Sequence, residues 1–592
     1  MKRQGLVYTN ANCISCNKCV RVCTSPGASY VNVNGRQSAV EIHPERCISC
    51  GACFAICDHG AREYRDDTEA FFRDLRAGEP ITVLFAPSFP ATYPDEYAAV
   101  LGGLKALGVK RLIPVSFGAD ICTWAYIQYI REGAGHGLLS TTCPVTVSYA
   151  EHCQPELIPH LVPIQSPLLC AAIYCREELG ITDRLAFIGP CIGKKLETSE
   201  YMDGSPLDYN VTFLKLMEYV RENRVYGAEE RGEIPYGLGS FYPAPGGLAD
   251  NLRWFLGDDE QIRVVSGKTY LYRWLRSNAD SISKPDYPFL LIDALNCQEG
   301  CLEGTATETG RFDGDAPLST VQQIRRKSKN AAPDSPWNPA LTPEARLANL
   351  NRQFGGLSLS RYLRSFTNRS GVCEVMTPTE QEADEIFNRM HKTTEESRKI
   401  NCSTCGYRSC YDLMKAIYNH FNTRRSCIYF QKEEALMMER LSFYDQLTSV
   451  MNRNALEKLN AGTLYQNKSV AMFVADVNGL KETNDHYGHE AGDRLIVATA
   501  SSLTGVFGRQ NVYRTGGDEF LVIMQDCAEE ECTRDVALVR RALEEKGASA
   551  SIGFVYRAHF NGDLLGLQAL ADQEMYKDKD LYYQRTGKKR RL

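Results

Sequence analysis

The sequence lacks a membrane span. Its most apolar window, residues 157–175, carries three prolines, a histidine, a glutamine and a serine, whereas a span needs about 20 mainly apolar residues. It also lacks a signal-peptide core, because no apolar run of that kind follows Met1-Lys2-Arg3-Gln4-Gly5. These absences predict a cytoplasmic protein with no membrane partner. An excess of one charge is missing as well: 67 Lys and Arg face 73 Asp and Glu, for a formal net charge of −6. That balance argues against a polyanion-binding role and predicts no nucleic-acid partner. The one basic run, Lys588-Lys589-Arg590-Arg591, reads as a solvated tail. Glycine and proline stand at ordinary levels, 46 and 25 of 592 residues, and no long low-complexity segment occurs, so the chain reads as folded.

A chain of 592 residues exceeds what one core holds, and about three or four domains are expected. What the sequence has in abundance is cysteine, 23 residues. In a secreted protein these would suggest disulfides; in a reducing cytosol, clustered cysteines mean metal. Cys13-x2-Cys16-x2-Cys19-x3-Cys23 is repeated as Cys47-x2-Cys50-x2-Cys53-x3-Cys57. Two-residue gaps let three thiolates converge from one loop, and in this pattern the fourth cysteine reaches the other cluster. Cys13, Cys16, Cys19 and Cys57 are therefore assigned to one [4Fe–4S] cluster, and Cys47, Cys50, Cys53 and Cys23 to a second. Residues 1–66 resemble a bacterial two-cluster ferredoxin, with Thr24 and Asp58 where that family prefers proline. The alternative is a pair of zinc sites, which rarely use this interlocked spacing.

From about residue 80 the pattern alternates helix and strand. Ile81–Phe85 reads as a buried strand, 97–107 as a helix and 111–115 as a strand, punctuated by Gly108 and Pro114. Three cysteine sites lie in this region. They are Thr141-Thr142-Cys143-Pro144; Gly189-Pro190-Cys191-Ile192-Gly193-Lys194 after a strand over 185–188; and Asn296-Cys297-Gln298-Glu299-Gly300-Cys301 after one over 289–292. Each has Gly or Pro close by, where backbone can approach a bulky cluster, so four thiolates from three loops make a candidate [4Fe–4S] site.

Ala86-Pro87-Ser88, Phe117-Gly118-Ala119-Asp120, Pro155-Glu156-Leu157 and Ser166-Pro167 accompany these cysteines. With them, residues 80–310 resemble the cluster-bearing domain of iron-only ([FeFe]) hydrogenases. The resemblance implies that Cys143, Cys191, Cys297 and Cys301 hold the cubane of an H-cluster, that Cys301 bridges to a di-iron unit, and that Lys194 hydrogen-bonds a di-iron ligand. The departures bear on function. Thr142 stands where working hydrogenases carry a proton-passing cysteine, and a hydroxyl is far less acidic than a thiol of pKa about 8.5. Asp293 and Leu295 replace Glu and Met, and the flanking glycines are reduced to Gly300 and Gly304. A slow, sensor-type domain, or one that keeps only the cubane, is expected rather than a fast hydrogenase. Cys122, Cys153, Cys170 and Cys175 match no motif and read as ordinary buried thiols, and Cys373 stands alone.

Residues 331–336 read as a surface loop, and 343–354 and 378–391 as amphipathic helices. Cys402-x2-Cys405-x4-Cys410, with Cys427 after a helix-like stretch, forms a further metal group. Tyr411, Met414, Ile417, Tyr418 and Phe421 at helical spacing are expected to pack over it. It resembles the small four-cysteine [4Fe–4S] module found after such hydrogenase domains, with zinc as the alternative. Residues 428–444 then read as a helix with Phe430, Met437 and Tyr444 seven apart, a coupling rod between sensor and output.

In the last part, an apolar run over 470–475 ends on Asp476, and Arg514-Thr515-Gly516-Gly517-Asp518-Glu519-Phe520 lies between two strand-like runs. Two glycines there predict a tight hairpin through positive φ. If the strands are neighbours, the carboxylates converge as a site that could hold Mg²⁺ against phosphates. Between them come Asn478, Lys481, Asn484-Asp485, Gly488-His489 and Gly492-Asp493. Residues 441–592 resemble the diguanylate cyclase (GGDEF) family. The resemblance implies Mg²⁺ on Asp476, the Val477 carbonyl and Asp518; guanine recognition by Asn484 and Asp493; and phosphate contacts from Lys481, Lys579, Gly516 and Gly517. Glu519 would support the metal or help deprotonate the ribose 3′-OH. Asn478 replaces a frequent Asp, and Tyr583 a frequent basic residue. Phe507 and Gln510 replace the Arg and Asp of the family's product-inhibition motif, so no feedback inhibition is expected there.

The expected fold is therefore multidomain: an α+β ferredoxin-like domain (1–66), an α/β hydrogenase-like domain (67–365), a small helical four-Cys module (385–430), a linker helix (428–446) and an α/β GGDEF domain with a central sheet flanked by helices (441–592). The expected function is a redox- or H₂-responsive diguanylate cyclase with four [4Fe–4S] clusters and Mg²⁺, a di-iron subsite being open. Its partners would be GTP, a redox partner or H₂, and a second copy of the chain through the GGDEF domain. The competing reading is an electron-transferring hydrogenase whose GGDEF domain only binds nucleotide.

Overall fold

The computed structural model describes residues 5–34, 37–133, 135–258, 261–308, 314–460 and 468–587, so the basic run at 588–591 lies outside the described residues. The chain divides into two compact units, Met1–Ile428 and Tyr429–Leu592.

In the first unit, β1 (Val7–Thr9) returns antiparallel to β4 (Arg62–Tyr64), enclosing the hairpin β2 (Ser29–Asn34) and β3 (Gln37–Ile42). The duplication in sequence is a duplication of backbone. Ser15 and Asn17 flank Cys16 with φ of 56° and 61°, and Ser49 and Gly51 flank Cys50 with 58° and 69°. Four parallel strands follow in the order β6 (Arg111–Pro114), β5 (Ile81–Phe85), β8 (Arg184–Gly189) and β9 (Tyr209–Thr212). A second parallel sheet orders β10 (Ile262–Ser266), β11 (Leu291–Leu295) and β7 (Leu138–Leu139). All five residues of β5 and of β11 are buried, as strands covered on both faces require. β11 starts two residues later than the run 289–292 predicted, because Phe289 and Leu290 instead serve the edge, where their carbonyls accept from Gly137 and Leu138.

Ligand-bearing loops of parallel sheets gather at the strands' carboxyl ends. Here β5 leads into Ala86-Pro87-Ser88, β7 into Thr141-Thr142-Cys143, β8 into Pro190-Cys191 and β11 into Asn296-Cys297. The helix α1 (Pro144–Cys153) starts directly after Cys143. The segment around the helix α2 (Cys410–Tyr418) docks on the ferredoxin-like part: the Phe421 carbonyl accepts from Val31 at 2.9 Å and the Ser403 carbonyl from Arg21 at 2.7 Å. Phe421 thus packs on the hairpin region, and Tyr411 is exposed, while Met414 alone of the expected covering residues is fully buried. Residues 1–428 cluster as one compact unit.

The second unit opens with the helix α3 (Ile428–Phe443) and is a five-stranded sheet ordered β12 (Met451–Asn452), β14 (Val512–Arg514), β15 (Glu519–Gln525), β13 (Val470–Val477) and β16 (Ala550–Arg557). Period-two alternation sends Ala471, Phe473, Ala475 and Val477 to one core, and Val470, Met472 and Val474 to the other. The first core is covered by α5 (His489–Phe507), which follows the short α4 (Leu480–Tyr487); the second by α6 (Leu564–Thr586).

Candidate functional site

Two kinds of centre emerge, one of thiols and one of carboxylates. The thiols of the first segment fall into two neighbourhoods, with Cys57 placed only beside Lys18. Cys53 lies near Cys47, Cys50 and Cys23, and Cys19 near Cys13 and Cys16. Lys18, beside Cys16 and Cys57, forms an exposed ion pair with Asp58, so the residue that replaces the usual proline ties the two halves together. Cys143, Cys191, Cys297 and Cys301 lie together as well, as do Cys402, Cys405 and Cys427, while Cys410 opens α2. Burial pushes Cys47 and Cys191 up to about 11 and Cys50 and Cys297 up to about 12. Such thiols ionise only against a strong positive charge such as iron. A left-handed residue sits in each multi-cysteine loop: Gly300 (φ 61°) between Cys297 and Cys301, and Ser403 (φ 58°) between Cys402 and Cys405. This is the conformation that turns consecutive N–H groups toward an anion.

Single residues stand between centres. Arg62, 3% exposed, donates to Cys19 Sγ at 3.0 Å and also faces Cys53 and Cys13. Asn296 donates to the Cys50 carbonyl at 3.1 Å and to Cys297 Sγ at 3.5 Å, and accepts from Tyr272 at 2.6 Å. Tyr407 lies near both Cys23 and Cys405. Single residues thus link Cys19 to Cys53, Cys50 to Cys297 and Cys23 to Cys405.

Above Cys143, Cys191, Cys297 and Cys301 is a pocket lined mainly by apolar groups such as Ala86, Val115, Leu168 and Phe187. Thr142, Ser88 and Lys194 bring the polar atoms. The Ser88 hydroxyl is buried with no partner among the described residues. Lys194 donates to Glu197 at 2.8 Å and Ser166 at 3.0 Å. Thr141 is structural, its hydroxyl bonded to the Val162 and Ile164 carbonyls, and only Thr142 of the pair faces the pocket. Asp293 is buried under a helix, where it accepts from Ala249; burial pushes it up to about 6.

In the second unit, β13 and β15 are neighbours and set Asp476 directly opposite Glu519. The Val477 N–H donates to the Asp518 carbonyl at 3.0 Å and pins the turn. Neither Gly516 nor Gly517 adopts positive φ. The turn closes instead through Thr515 N–H to Glu519 O at 3.0 Å, and the glycines matter for space: nothing lies within 4 Å of where a Gly517 side chain would start. Burial raises the Asp476 carboxyl, Lys579 partly offsets this, and Asp518 and Asp572 raise it again; Glu519 is raised by burial and by Asp518, Asp476 and Asp572. This crowd of hard oxygen donors suits Mg²⁺. Lys579 Nζ, 2.7 Å from Asp476 Oδ1, supplies the local positive charge. It is carried there because Gly553 lets α6 lie flush on β16; a Cβ at 553 would meet the Met575 nitrogen at 2.0 Å.

Asn484 Oδ1 is buried and has no hydrogen-bond partner among the described residues. Gly492 makes the room, since a Cβ there would come within 1.9 Å of that oxygen. Lys481 and Asp493 are exposed on α4 and α5. Asn478 is a clip, its amide bonded to Ser549 at 3.0 Å and Ser551 at 2.8 Å. Sequence reasoning missed two residues. Asp572 joins the carboxylates from α6, where an acidic residue on a surface helix gives no signal. Arg514 joins Asp445 (2.9 Å) to the Gly517 carbonyl (2.7 Å), a pairing across 69 positions.

Residues 442–583 match the family model described as diguanylate cyclase, GGDEF domain; 79–253 match iron only hydrogenase large subunit, C-terminal domain; and 12–61 match 4Fe-4S dicluster domain. Among curated proteins, the diguanylate cyclase DosC of Escherichia coli (strain K12) is 27% identical over 227 residues, 35% of this chain and 46% of that protein. The diguanylate cyclase VdcA of Vibrio cholerae is 25% identical over 211 residues, 33% of this chain and 59% of that protein. The chain thus spans about half the length of these relatives. Among solved structures, a microbial GGDEF domain studied with cyclic di-GMP is 33% identical, covering 23% of this chain and 93% of that one, with a TM-score of 0.22. A variant of the [FeFe]-hydrogenase HydA1 of Chlamydomonas reinhardtii is 14% identical, covering 52% and 100%, with a TM-score of 0.37.

Proposed function

We propose that the chain condenses two GTP into cyclic di-GMP with release of diphosphate, and that the iron–sulfur, hydrogenase-like unit controls this output. The observation that carries the reading is the joint presence, at one sheet end, of opposed Asp476 and Glu519 with Asp518 between strands, and of a buried acceptor on Asn484 with nothing to accept from. Mg²⁺ held by Asp476, the Val477 carbonyl and Asp518 would polarise phosphoryl oxygens and acidify the attacking 3′-OH. Asn484, with Asp493, takes the guanine edge, whose N–H groups are donors. Gly517 leaves room for phosphates, Lys579 and Lys481 offset their charge, and the raised carboxyl of Glu519 takes a proton from the 3′-OH more readily than an ordinary one. One such site holds one GTP, so the reacting pair needs two chains related by a two-fold axis. Met437, Met438 and Leu441 of α3, each more than 40% exposed and on one side of the helix, offer apolar surface for that pairing.

The four cysteine groups fit [4Fe–4S] clusters, which when bound would store single electrons. The unpartnered Ser88 hydroxyl and Lys194 suit a polar ligand in the pocket beside Cys301, and Thr142 makes that pocket a slow sensor rather than a catalyst for H₂. The test is an anaerobic cyclase assay of reconstituted protein with GTP and Mg²⁺ under N₂ and H₂, oxidised and reduced. Cyclic di-GMP that varies with gas or redox state supports the proposal. No product in any condition removes the cyclase, and output indifferent to all four removes the sensor. Infrared bands of CO and CN⁻ ligands decide whether a di-iron unit is assembled.

A further inference from the structure

The centre assigned to Cys23, Cys47, Cys50 and Cys53 has a neighbour that no motif announces. Cys153, the last residue of α1, and Cys373, which ends the turn Ser370–Cys373, meet at one hydroxyl, that of Ser25. Ser25 holds them there. Its hydroxyl oxygen accepts from Cys153 Sγ at 3.4 Å and lies 3.7 Å from Cys373 Sγ, while the hydroxyl donates to the Arg46 carbonyl at 2.5 Å. The Ser25 carbonyl in turn lies 3.3 Å from Cys23 Sγ. One residue touches the thiol pair with its side chain and a cluster ligand with its backbone. Arg46 secures the far side: its guanidinium donates to the Pro26 and Glu374 carbonyls at 3.0 and 3.3 Å, and its charge favours a thiolate at Cys373.

Cys373 is 7% exposed and Cys153 half-buried, which hinders a bulky oxidant but not an electron. A cleft lined by Cys47, Ser49, His152, Arg369 and Val372 reaches the cluster ligand and the chain neighbours of both thiols. From these contacts we infer that Cys153 and Cys373 form a reversible dithiol–disulfide couple that trades electrons with the adjacent iron–sulfur centre. The inference rests on the iron–sulfur reading above. In the oxidising direction two S–H bonds break and one S–S bond forms. Two protons leave to solvent, and two electrons pass singly to two [4Fe–4S]²⁺ centres, each becoming [4Fe–4S]¹⁺. The reverse step consumes two electrons and two protons. The potential ranges of protein dithiols and of [4Fe–4S] centres overlap, so neither direction is barred. The couple would convert one-electron traffic into a two-electron store with a covalent state.

The test uses the full-length chain, reconstituted anaerobically and poised with mediators across the range in which its clusters titrate. Thiols are then trapped by differential alkylation and assigned by peptide mass. The expected result is Cys153 joined to Cys373 in the oxidised sample and both free in the reduced one. Reductive titration should take up about two more electrons per chain in wild type than in C373S or C153S, with the cluster EPR signals of the variants retained. Loaded clusters with both thiols free at every potential, or equal electron uptake in wild type and either variant, overturn the inference alone. Absence of iron and of EPR signals overturns the iron–sulfur reading and the couple with it. The wild-type alkylation decides the matter even if one variant fails to fold.

Discussion

The pocket over Cys143, Cys191, Cys297 and Cys301 and the turn carrying Asp518 both sit where strands end, yet they are built on opposite terms. The first is enclosed by parallel strands and apolar walls, and its thiols are pushed far up by burial. The second lies on an antiparallel sheet, with open space above Gly517. Desolvated thiols suit a group installed once and kept. Crowded carboxylates at an open edge suit ions and nucleotides that exchange at every turnover. On the proposed function, one chain would pair a permanent charge store with a site that is refilled continually.

The largest test of that separation is Asp518→Asn. Cyclase turnover should fall by about a thousandfold, since a metal ligand is worth several kcal/mol in such chemistry, while iron content and the visible spectrum stay as in wild type. A spectral change would break the independence of the two centres. Next comes Gly492→Ala, which drives a methyl into Asn484 Oδ1. The KM for GTP should rise ~10- to 100-fold, the range for spoiling one buried hydrogen bond, with kcat less affected and iron again unchanged. Asp445→Asn removes the ionic partner of Arg514 and should lower kcat by about 3- to 10-fold without altering GTP affinity.

The smallest effect is on pH. Asp476 and Glu519 have raised carboxyls in the folded state, chiefly through burial, so the native state binds their protons better than the unfolded chain does. Stability of the metal-free second unit should therefore rise as pH falls from neutral and level off near the unfolded values of about 4. The Tm slope, read by calorimetry, should flatten in Asp518→Asn, and Mg²⁺ should raise the Tm at neutral pH. An upward slope with rising pH would contradict the charge crowding at this edge.

The parts of this molecule legible in sequence are those whose chemistry is local. Cysteine spacing predicted that Cys53 would lie with Cys47, Cys50 and Cys23, and an apolar run ending in Asp476 predicted a strand beside the hairpin. Lys579 was expected at the phosphates and stands against Asp476. What sequence hid depends on distant partners. Cys373 read as solitary because Ser25 and Cys153 reach it only through the packing of three segments. Tyr411 and Phe421 read as one helical face, but the helix ends at Tyr418, which frees Phe421 to turn onto the ferredoxin-like hairpin. The glycines of the signature were read for backbone freedom, whereas their backbone is ordinary and the space around Gly517 is the asset.

The Arg514 guanidinium sets a ceiling on the signal. Asp445 follows α3 by two residues, and Arg514 carries its charge to the Gly517 carbonyl in the turn before Glu519. A message that travels down α3 and reaches the turn through this latch is limited by what two hydrogen bonds and one ion pair can transmit. Coupling energies of that class run to about 1–3 kcal/mol, or roughly a 5- to 150-fold span between off and on. On the proposed function, a latch of this size would bound the span between off and on whatever the stimulus, and a sharper response would have to come from dimer formation.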